Sequence, residues 1–267
     1  MKKADIVIFG GQSNMQGQSE TLSECEVVEN AFEYRFFNDA LTPLRNPVGE
    51  DIRYDGSAGE RYVHGTDQRQ WLAEHALGSA CYGHTNLVPS FARAYMKETE
   101  TALIAVHAAK GSTRIRDWLP DSPGYRMLVV KAASAIQKAK TEYDVRRIFF
   151  VWLQGESDAI AAKDRKYYKE KLRILATGLR EELGVERFGI IRVGAFTNDG
   201  RDAEIISAQD EICAEDPFFL MLTEIALDLN KDPSMMNPRV GGHFSALGLE
   251  TLGGAAGASL GKTVRRM

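Results

Sequence analysis

Five apolar segments rich in β-branched and aromatic residues alternate along this chain with segments that repeat apolar residues at helical spacing. The apolar segments cover residues 4–9, 102–107, 147–153, 188–193 and 218–222. The helical patterns cover residues 88–98, 125–140 and 163–183. Strands that alternate with helices pair in parallel and are covered by helices on both faces. The sequence therefore predicts an α/β fold with a five-stranded parallel sheet, in one domain that covers residues 1–267.

Two segments depart from this alternation. Residues 18–86 are rich in Gly, Asp, Glu and Tyr and show no long periodic pattern, which is unusual within a compact domain and predicts a functional insertion. Residues 245–262 have apolar residues at helical spacing but contain five glycines. Because glycine lowers helix propensity, we expect these glycines to permit close backbone packing.

Composition and charge exclude several classes of partner. The net charge of −4, with no basic run, does not match a nucleic-acid-binding protein. No run of about 18 apolar residues is present to span a membrane, and no targeting segment is recognised. The three cysteines are odd in number and lack metal-ligand spacing, which favours a reduced compartment, so we expect a cytoplasmic protein.

The first apolar segment leads directly into Gly10-Gly11-Gln12-Ser13-Asn14-Met15-Gln16-Gly17. The paired glycines permit a sharp turn, which would place the Ser13 hydroxyl at the carboxyl end of a strand, where α/β sheets bind ligands. A helix that starts near Asn14 would direct free N–H groups beside that hydroxyl. Ser13 is therefore a candidate nucleophile; the alternative is a helix-capping or turn serine. A phosphate-binding loop is a poorer interpretation, because the Gly-Lys-Ser/Thr ending and the Gly-x-Gly-x-x-Gly spacing are missing.

Two further loops follow the second and third predicted strands and would meet Ser13. With the strand order 2-1-3-4-5, the first strand lies between the second and the third. The loops contain Gly111, which offers an unobstructed backbone N–H, and Gln154, which offers a side-chain amide. Together with the Ser13 N–H they would form a three-donor oxyanion hole.

The base that a hydroxyl nucleophile needs is sought among five histidines. His243 follows the last predicted strand on a Gly241-Gly242 loop, at the same edge of the sheet as Ser13, and is the candidate base; the alternative is a surface-loop histidine. His107 ends a strand and is expected to be packed or capping. The remaining three, which lie in the predicted insertion, are His64, His75 and His84.

Together, these motifs resemble those of the SGNH hydrolase superfamily, and more closely its sialate O-acetylesterase and acetylxylan esterase branch, carbohydrate esterase family 6. The matching residues are Gly11-Gln12-Ser13-Asn14-Met15, Gly111 with Trp118 downstream, Gln154-Gly155-Glu156-Ser157-Asp158 and His243-Phe244-Ser245. The resemblance implies a three-layer α/β/α sandwich of the flavodoxin-like type. It also implies that Ser13 is the nucleophile, His243 the base, and Ser13, Gly111 and Gln154 the oxyanion donors.

One position departs from the superfamily pattern. An acid commonly stands three residues before the histidine, but here that residue is Val240, which cannot orient an imidazole. Glu156 is nominated instead, since it could reach the far ring nitrogen of His243 and fix its tautomer. Replacing Glu156 by Gln would then lower kcat at least about tenfold. The alternatives are a structural role for Glu156, Asp158 or Asp232 as the acid, and a Ser–His dyad completed by a backbone carbonyl.

The sequence thus predicts a serine esterase that removes acetyl or another short acyl group from a carbohydrate hydroxyl, with no metal or organic cofactor. Trp118 could pack on a sugar ring and Arg114 could pair with a sugar acid, although a core indole and an exposed ion pair are the common roles of such residues. Specificity is assigned to the insertion. The competing hypotheses are a catalytically weak carbohydrate-binding relative and a short-chain lipid or thioester hydrolase of the same superfamily.

Overall fold

The computed structural model of this chain describes residues 1–19, 26–36, 38–49 and 85–267. The strands of the described part are β1 (Lys2–Gly11), β2 (Ala31–Arg35), β3 (Ala40–Pro43), β4 (Ala102–Ala109), β5 (Tyr143–Leu153), β6 (Arg187–Ile191) and β7 (Phe219–Thr223). Its α-helices are α1 (Ser13–Gln16), α2 (Val88–Thr99), α3 (Pro123–Glu142), α4 (Glu156–Ile160), α5 (Arg165–Leu183), α6 (Asp202–Glu215), α7 (Ala226–Leu229) and α8 (Ala246–Arg266). Short 3₁₀ turns cover Ile115–Trp118 and Pro233–Met235.

The described strands form one sheet in the order β3-β2-β4-β1-β5-β6-β7. All neighbours pair in parallel except β2 and β3, which are antiparallel. The predicted 2-1-3-4-5 arrangement is confirmed as β4-β1-β5-β6-β7. Helices α2 and α8 pack on each other, and α3 and α6 each contact α5, so helices cover the sheet as the predicted α/β/α sandwich requires.

The predicted count of five strands was wrong, because the described sheet has seven. The two additional strands, β2 and β3, form a hairpin of five and four residues at one edge of the sheet. β2 has buried and half-buried residues, including a Glu and an Arg, and β3 has only half-buried and exposed ones, so neither has the continuous apolar run that marks a central parallel strand. Both lie in the predicted insertion at 18–86; the rest of that prediction, including His64, His75 and His84, falls largely outside the described residues.

The central strand β1 owes its position to its apolar composition. Its residues Ile6, Val7, Ile8 and Phe9 are fully buried, as expected for a strand flanked by β4 and β5 and covered on both faces. The carboxyl ends of β1, β4 and β5 therefore meet at one edge of the sheet. This edge carries the three loops in which the sequence places its candidate residues.

The glycines of α8 permit the close packing that the sequence predicts. A Cβ on Gly253 would lie 2.3 Å from the carbonyl oxygen of Leu87, and a Cβ on Gly257 would lie 2.2 Å from that of Phe91. Any side chain at these two positions would force α8 away from α2. Gly254, in contrast, faces open space.

Two features are absent from the described residues. None of the helices they form is long and apolar enough to cross a membrane. Their His, Cys, Asp and Glu side chains form no group of three or more that could hold a metal ion.

Candidate active site

Ser13 lies at the turn between β1 and α1, with its hydroxyl against His243. The turn depends on Gly11, which has φ of +143° and on which a Cβ would lie 2.1 Å from the Leu153 carbonyl oxygen. The Gln12 N–H donates to that same carbonyl at 3.1 Å, which anchors the turn to β5. Ser13 Oγ and His243 Nε2 are 2.8 Å apart, and both residues line a cavity of about 560 Å³. The structure thus brings together two residues that are 230 positions apart in sequence.

The loop before α8 fixes the orientation of the His243 ring. Gly242 has φ of +77°, and a Cβ there would lie 2.4 Å from the Phe196 ring, which packs edge-on against the imidazole. The other ring nitrogen, Nδ1, lies 3.1 Å from the carbonyl oxygen of Gly241. Because a carbonyl only accepts hydrogen bonds, Nδ1 carries the proton and Nε2 is left to accept the proton of Ser13.

Burial sets the charge state of His243. The residue is only 8% exposed, and its desolvation lowers the pKa of the imidazole below the usual 6.5. The hydrogen bond to the Gly241 carbonyl acts in the opposite direction but is the smaller effect. The imidazole is therefore neutral at neutral pH, as a general base must be.

Glu156, the residue nominated as the acid, does not contact His243. Its Oε1 accepts a hydrogen bond from Asn14 Nδ2 at 2.8 Å, and Asn14 Oδ1 in turn accepts from the Phe244 N–H at 3.2 Å. The Asn14 side chain thus links Glu156 to the backbone next to His243. The place expected for the carboxylate is taken by the Gly241 carbonyl. The geometry corresponds to the dyad completed by a backbone carbonyl.

Glu156 is a buried residue that supports the Asn14 side chain. Its Oε2 is buried and has no hydrogen-bond partner. Burial raises the pKa of Glu156, with the bond from Asn14 acting against that shift. The two alternative acids also bond elsewhere: Asp158 accepts from Gln154 and from the Ile115 N–H, and Asp232 accepts from Ser234.

Gln154 lies behind the cavity wall and not in the predicted oxyanion hole. It is fully buried, and its Nε2 lies 2.7 Å from Asp158 Oδ2, 3.1 Å from the Thr113 carbonyl oxygen and 3.1 Å from Gln12 Oε1. Its Oε1 lies 2.9 Å from the Tyr168 hydroxyl oxygen, whose single proton it shares with the Gln154 backbone carbonyl at 2.6 Å. The two amide protons of Gln154 are thus engaged by groups inside the protein. The physical reason is Asp158, four residues further on, whose buried carboxylate attracts this amide.

Gly111 lies beside Ser13 as predicted. A Cβ on Gly111 would lie 3.5 Å from Ser13 Cβ, and the residue lines the same cavity. Its N–H donates to Gln16 Oε1 at 2.7 Å. An amide oxygen from this chain therefore occupies the acceptor position that a substrate carbonyl would need. The Ser13 N–H, at the start of α1, has no acceptor within the helix.

The structure does not place the two candidate sugar-contacting residues in the cavity wall. Trp118 is fully buried, packs edge-on against Trp152 and donates from Nε1 to Thr113 Oγ1 at 2.9 Å. It borders a second cavity of about 360 Å³ but exposes no ring face on which a sugar could stack. Arg114 lines neither cavity, and its charge opposes the burial that raises the pKa of Asp158.

Several residues of the cavity wall have no role in the sequence-based predictions. Gln12 and Gln16 both stand in the first loop, so their proximity to Ser13 in sequence was an available signal. Phe196 comes from the loop after β6, and no sequence pattern marks it. His107, which was expected to be packed or capping, is buried, with Nε2 3.1 Å from the Met15 carbonyl oxygen.

Solved structures share this fold at low sequence identity. NanS is 14% identical with a TM-score of 0.63, over 99% of this chain and 97% of that chain. A protein from Arabidopsis thaliana is 20% identical with a TM-score of 0.61, over 96% and 97%. A carbohydrate acetylesterase from Xanthomonas citri is 14% identical with a TM-score of 0.52, over 93% of this chain and 54% of that one. At these identities the likeness establishes the fold alone.

The sequence itself supplies the family. No curated protein matches this chain. The family model described as carbohydrate esterase, sialic acid-specific acetylesterase matches residues 3–256, a range that includes both Ser13 and His243. Because that match extends over nearly the whole chain, this protein belongs to the sialic acid-specific acetylesterase family of carbohydrate esterases and is a carboxylic ester hydrolase.

Proposed function

We propose that this protein removes acetyl groups from carbohydrate hydroxyls through an acyl-enzyme intermediate on Ser13, with His243 as the base. The observation that carries the proposal is the 2.8 Å contact between Ser13 Oγ and His243 Nε2 in the wall of an open cavity. Membership of an acetylesterase family supports the same reaction.

The reaction follows from the protonation state of the dyad. The neutral imidazole accepts the Ser13 proton on Nε2 as Oγ attacks the ester carbonyl. The resulting imidazolium passes that proton to the departing sugar oxygen, which leaves Ser13 acetylated. Water then attacks the acetyl-enzyme with His243 as base, acetate leaves, and the proton returns to Oγ. No further cofactor takes part in these steps.

The Gly241 carbonyl orients the imidazole, which is one of the two functions of a triad acid. It holds Nδ1–H, which selects the productive tautomer and fixes the plane of the ring. A neutral carbonyl stabilises the imidazolium less than a carboxylate would, because it carries only a partial charge. We therefore expect a dyad enzyme whose base is oriented but weakly stabilised in its charged form.

The cavity wall suits a polyhydroxylated substrate. Its polar side chains beyond the dyad are Gln12, Gln16, Gln18, Lys110, Ser112 and Ser157. Amides and hydroxyls both donate and accept hydrogen bonds, which matches the mixed donor and acceptor character of sugar hydroxyls. For the ester carbonyl to reach the Gly111 N–H, the Gln16 side chain must rotate away and give up its bond.

The test is acetate release by the purified protein and by Ser13→Ala. The substrates are p-nitrophenyl acetate, O-acetylated sialic acids and acetylated xylan, with p-nitrophenyl octanoate and an acetyl thioester as comparisons. Ser13→Ala is expected to lower kcat/KM by about 10⁴-fold or more. The matched control is Ser207→Ala in α6, away from the cavity wall. Equal turnover by Ser13→Ala and wild type would refute the proposal, as would a preference for the octanoyl ester or the thioester.

A further inference from the structure

Gln12 lies directly before Ser13 and is fixed by the backbone on both sides. Its N–H donates to the Leu153 carbonyl of β5, and its own carbonyl accepts the Gln16 N–H at 2.8 Å. The residue is 2% exposed and forms part of the cavity wall together with Ser13, Gly111 and His243. Gln12 therefore has little freedom of backbone movement relative to the nucleophile.

The orientation of the Gln12 amide is set by its partners. Its Oε1 lies 3.1 Å from the Ser157 N–H and 3.1 Å from Gln154 Nε2. A backbone N–H only donates, so the atom that faces Ser157 must be the oxygen. The orientation of Gln154 is fixed in the same way, because Thr113 O can only accept and the Asp158 carboxylate faces the same nitrogen.

The nitrogen of the Gln12 amide is then left free. Gln12 Nε2 forms no hydrogen bond with the rest of the described chain. This nitrogen is also not fully buried. Because this unpartnered nitrogen retains solvent-accessible surface and Gln12 lines the cavity, the nitrogen is assigned to the cavity side of the residue. Its two protons are available beside the nucleophile.

We propose that Gln12 Nε2 is an oxyanion donor in the Ser13 reaction and that Gln154 is the positioning residue that holds it. This inference rests on the proposed function. Gln12 takes the part that the sequence assigned to Gln154. Once Gln16 releases the Gly111 N–H, Gln12, Gly111 and Ser13 present an amide N–H₂ and two backbone N–H groups to the cavity. Gln154 is anchored by Asp158, Thr113 and Tyr168, and it transmits that rigidity to Gln12 through its hydrogen bond to Oε1.

Gln12→Glu is the sharpest test, because it keeps the oxygen that accepts from Ser157 and Gln154 and replaces only the donor. The variant is expected to lower kcat about 10²–10³-fold, with KM nearly unchanged, since the bond is strongest to the charged transition state. The matched control is Gln137→Glu, the same change on the exposed face of α3, which should retain wild-type kinetics. Gln12→Ala, which removes the amide without adding charge, should show a loss of similar size.

Two further readouts separate donation from a structural role. A trifluoromethyl ketone that forms an anionic tetrahedral adduct with Ser13 should bind Gln12→Glu more weakly by the same factor as kcat/KM falls. The introduced carboxylic acid can donate once it is protonated, so the ratio of variant to wild-type kcat/KM should rise as the pH is lowered. A defect of packing alone would produce neither effect.

A wild-type crystal structure with the same adduct decides the question even if the variants fail to fold. The oxyanion is expected within about 3.1 Å of Gln12 Nε2. An oxyanion beyond hydrogen-bonding distance of Gln12, or bonded to Gln154 instead, would overturn the inference. So would kcat/KM values within threefold of wild type for both Gln12 variants. If those values accompany an inactive Ser13→Ala, only this inference fails, whereas an active Ser13→Ala refutes the proposed function itself.

Discussion

Glutamine side chains have opposite roles in the wall of the catalytic cavity and in the polar cluster behind it. In the wall, the amide protons of Gln12 have no acceptor among the described residues, and the Gly111 N–H is held by the half-exposed Gln16 side chain, which a substrate can displace. In the cluster behind it, formed by Gln154, Asp158, Tyr168 and Gln209, nearly every donor is bonded inside the protein.

The cluster shows how a buried polar group becomes a support. Tyr168 donates to the Gln154 backbone carbonyl at 2.6 Å, and Gln209 Nε2 donates to the same carbonyl at 2.9 Å. Gln209 Oε1 accepts from the Val193 N–H, which ties the cluster to the end of β6. Burial also raises the pKa of Tyr168 well above its usual range, so the hydroxyl remains a donor. Polar groups whose hydrogen bonds are all made inside the protein hold other groups in place. Polar groups with unused hydrogen-bonding capacity at a cavity can bind a substrate.

The largest expected effect is at the cavity wall. His243→Ala removes the base and should lower kcat/KM by about 10⁴-fold while the melting temperature changes little, because the ring packs mainly against Phe196 at the cavity wall. Steady-state kinetics with p-nitrophenyl acetate measures kcat/KM, and thermal unfolding measures the melting temperature. Added imidazole should restore part of the activity to this variant and none to Ser13→Ala. Near-wild-type turnover without the ring would contradict the dyad.

A substitution in the polar cluster should lower stability as well as activity. Gln154→Leu leaves the Thr113 carbonyl without its donor and removes one of the two donors of Asp158 Oδ2, which keeps the Ile115 N–H, at a cost of about 1–3 kcal/mol for an unsatisfied buried group. We expect a lower free energy of unfolding, measured in urea, together with a loss of kcat through the released Gln12. Gln12→Ala should instead lose kcat with a smaller loss of stability. A Gln154→Leu variant that loses activity at full stability would break the distinction between the two regions.

The pH dependence of kcat/KM reports the environment of His243. Desolvation lowers the pKa of the imidazole, and the base must be neutral, so activity should rise with pH along an acidic limb with an apparent pKa below 6.5. The profile is measured with a substrate whose leaving group does not titrate in this range. An apparent pKa above 6.5 would indicate a carboxylate partner for the imidazole, contrary to the bond with Gly241.

Glu156 should give the smallest effect on catalysis. Glu156→Gln keeps an oxygen for Asn14 and does not alter a contact of His243, so kcat should fall by less than tenfold. Because folding raises the pKa of Glu156, the proton-linked stability it contributes is lost as the pH rises above the usual 4.5. The variant lacks this loss, so its free energy of unfolding relative to wild type should increase with pH. A kcat loss as large as that of His243→Ala would restore Glu156 as the acid of a triad.

The fold was predictable wherever a strand carried its own signal. Strands β1, β4, β5, β6 and β7 correspond to the five predicted apolar segments, and their order is the 2-1-3-4-5 order of a doubly wound sheet, which the alternation with helices favours. The hairpin of β2 and β3 was missed because its strands are short and partly exposed, so the pairing of β2 with β4 depends on the sheet edge more than on the composition of the hairpin.

The sequence by itself determined the strand–turn–serine element, the glycine-flexed histidine loop and the family, because apolar periodicity, glycine turns and motif spacing are local properties of the chain. Only the tertiary structure decided that Gly241 and not Glu156 meets the imidazole, and that Gln154 faces inward while Gln12 faces the cavity. The direction of a side-chain amide or carboxylate depends on partners from distant loops. Such partners are fixed by three-dimensional packing and hydrogen-bond saturation, which no local pattern encodes.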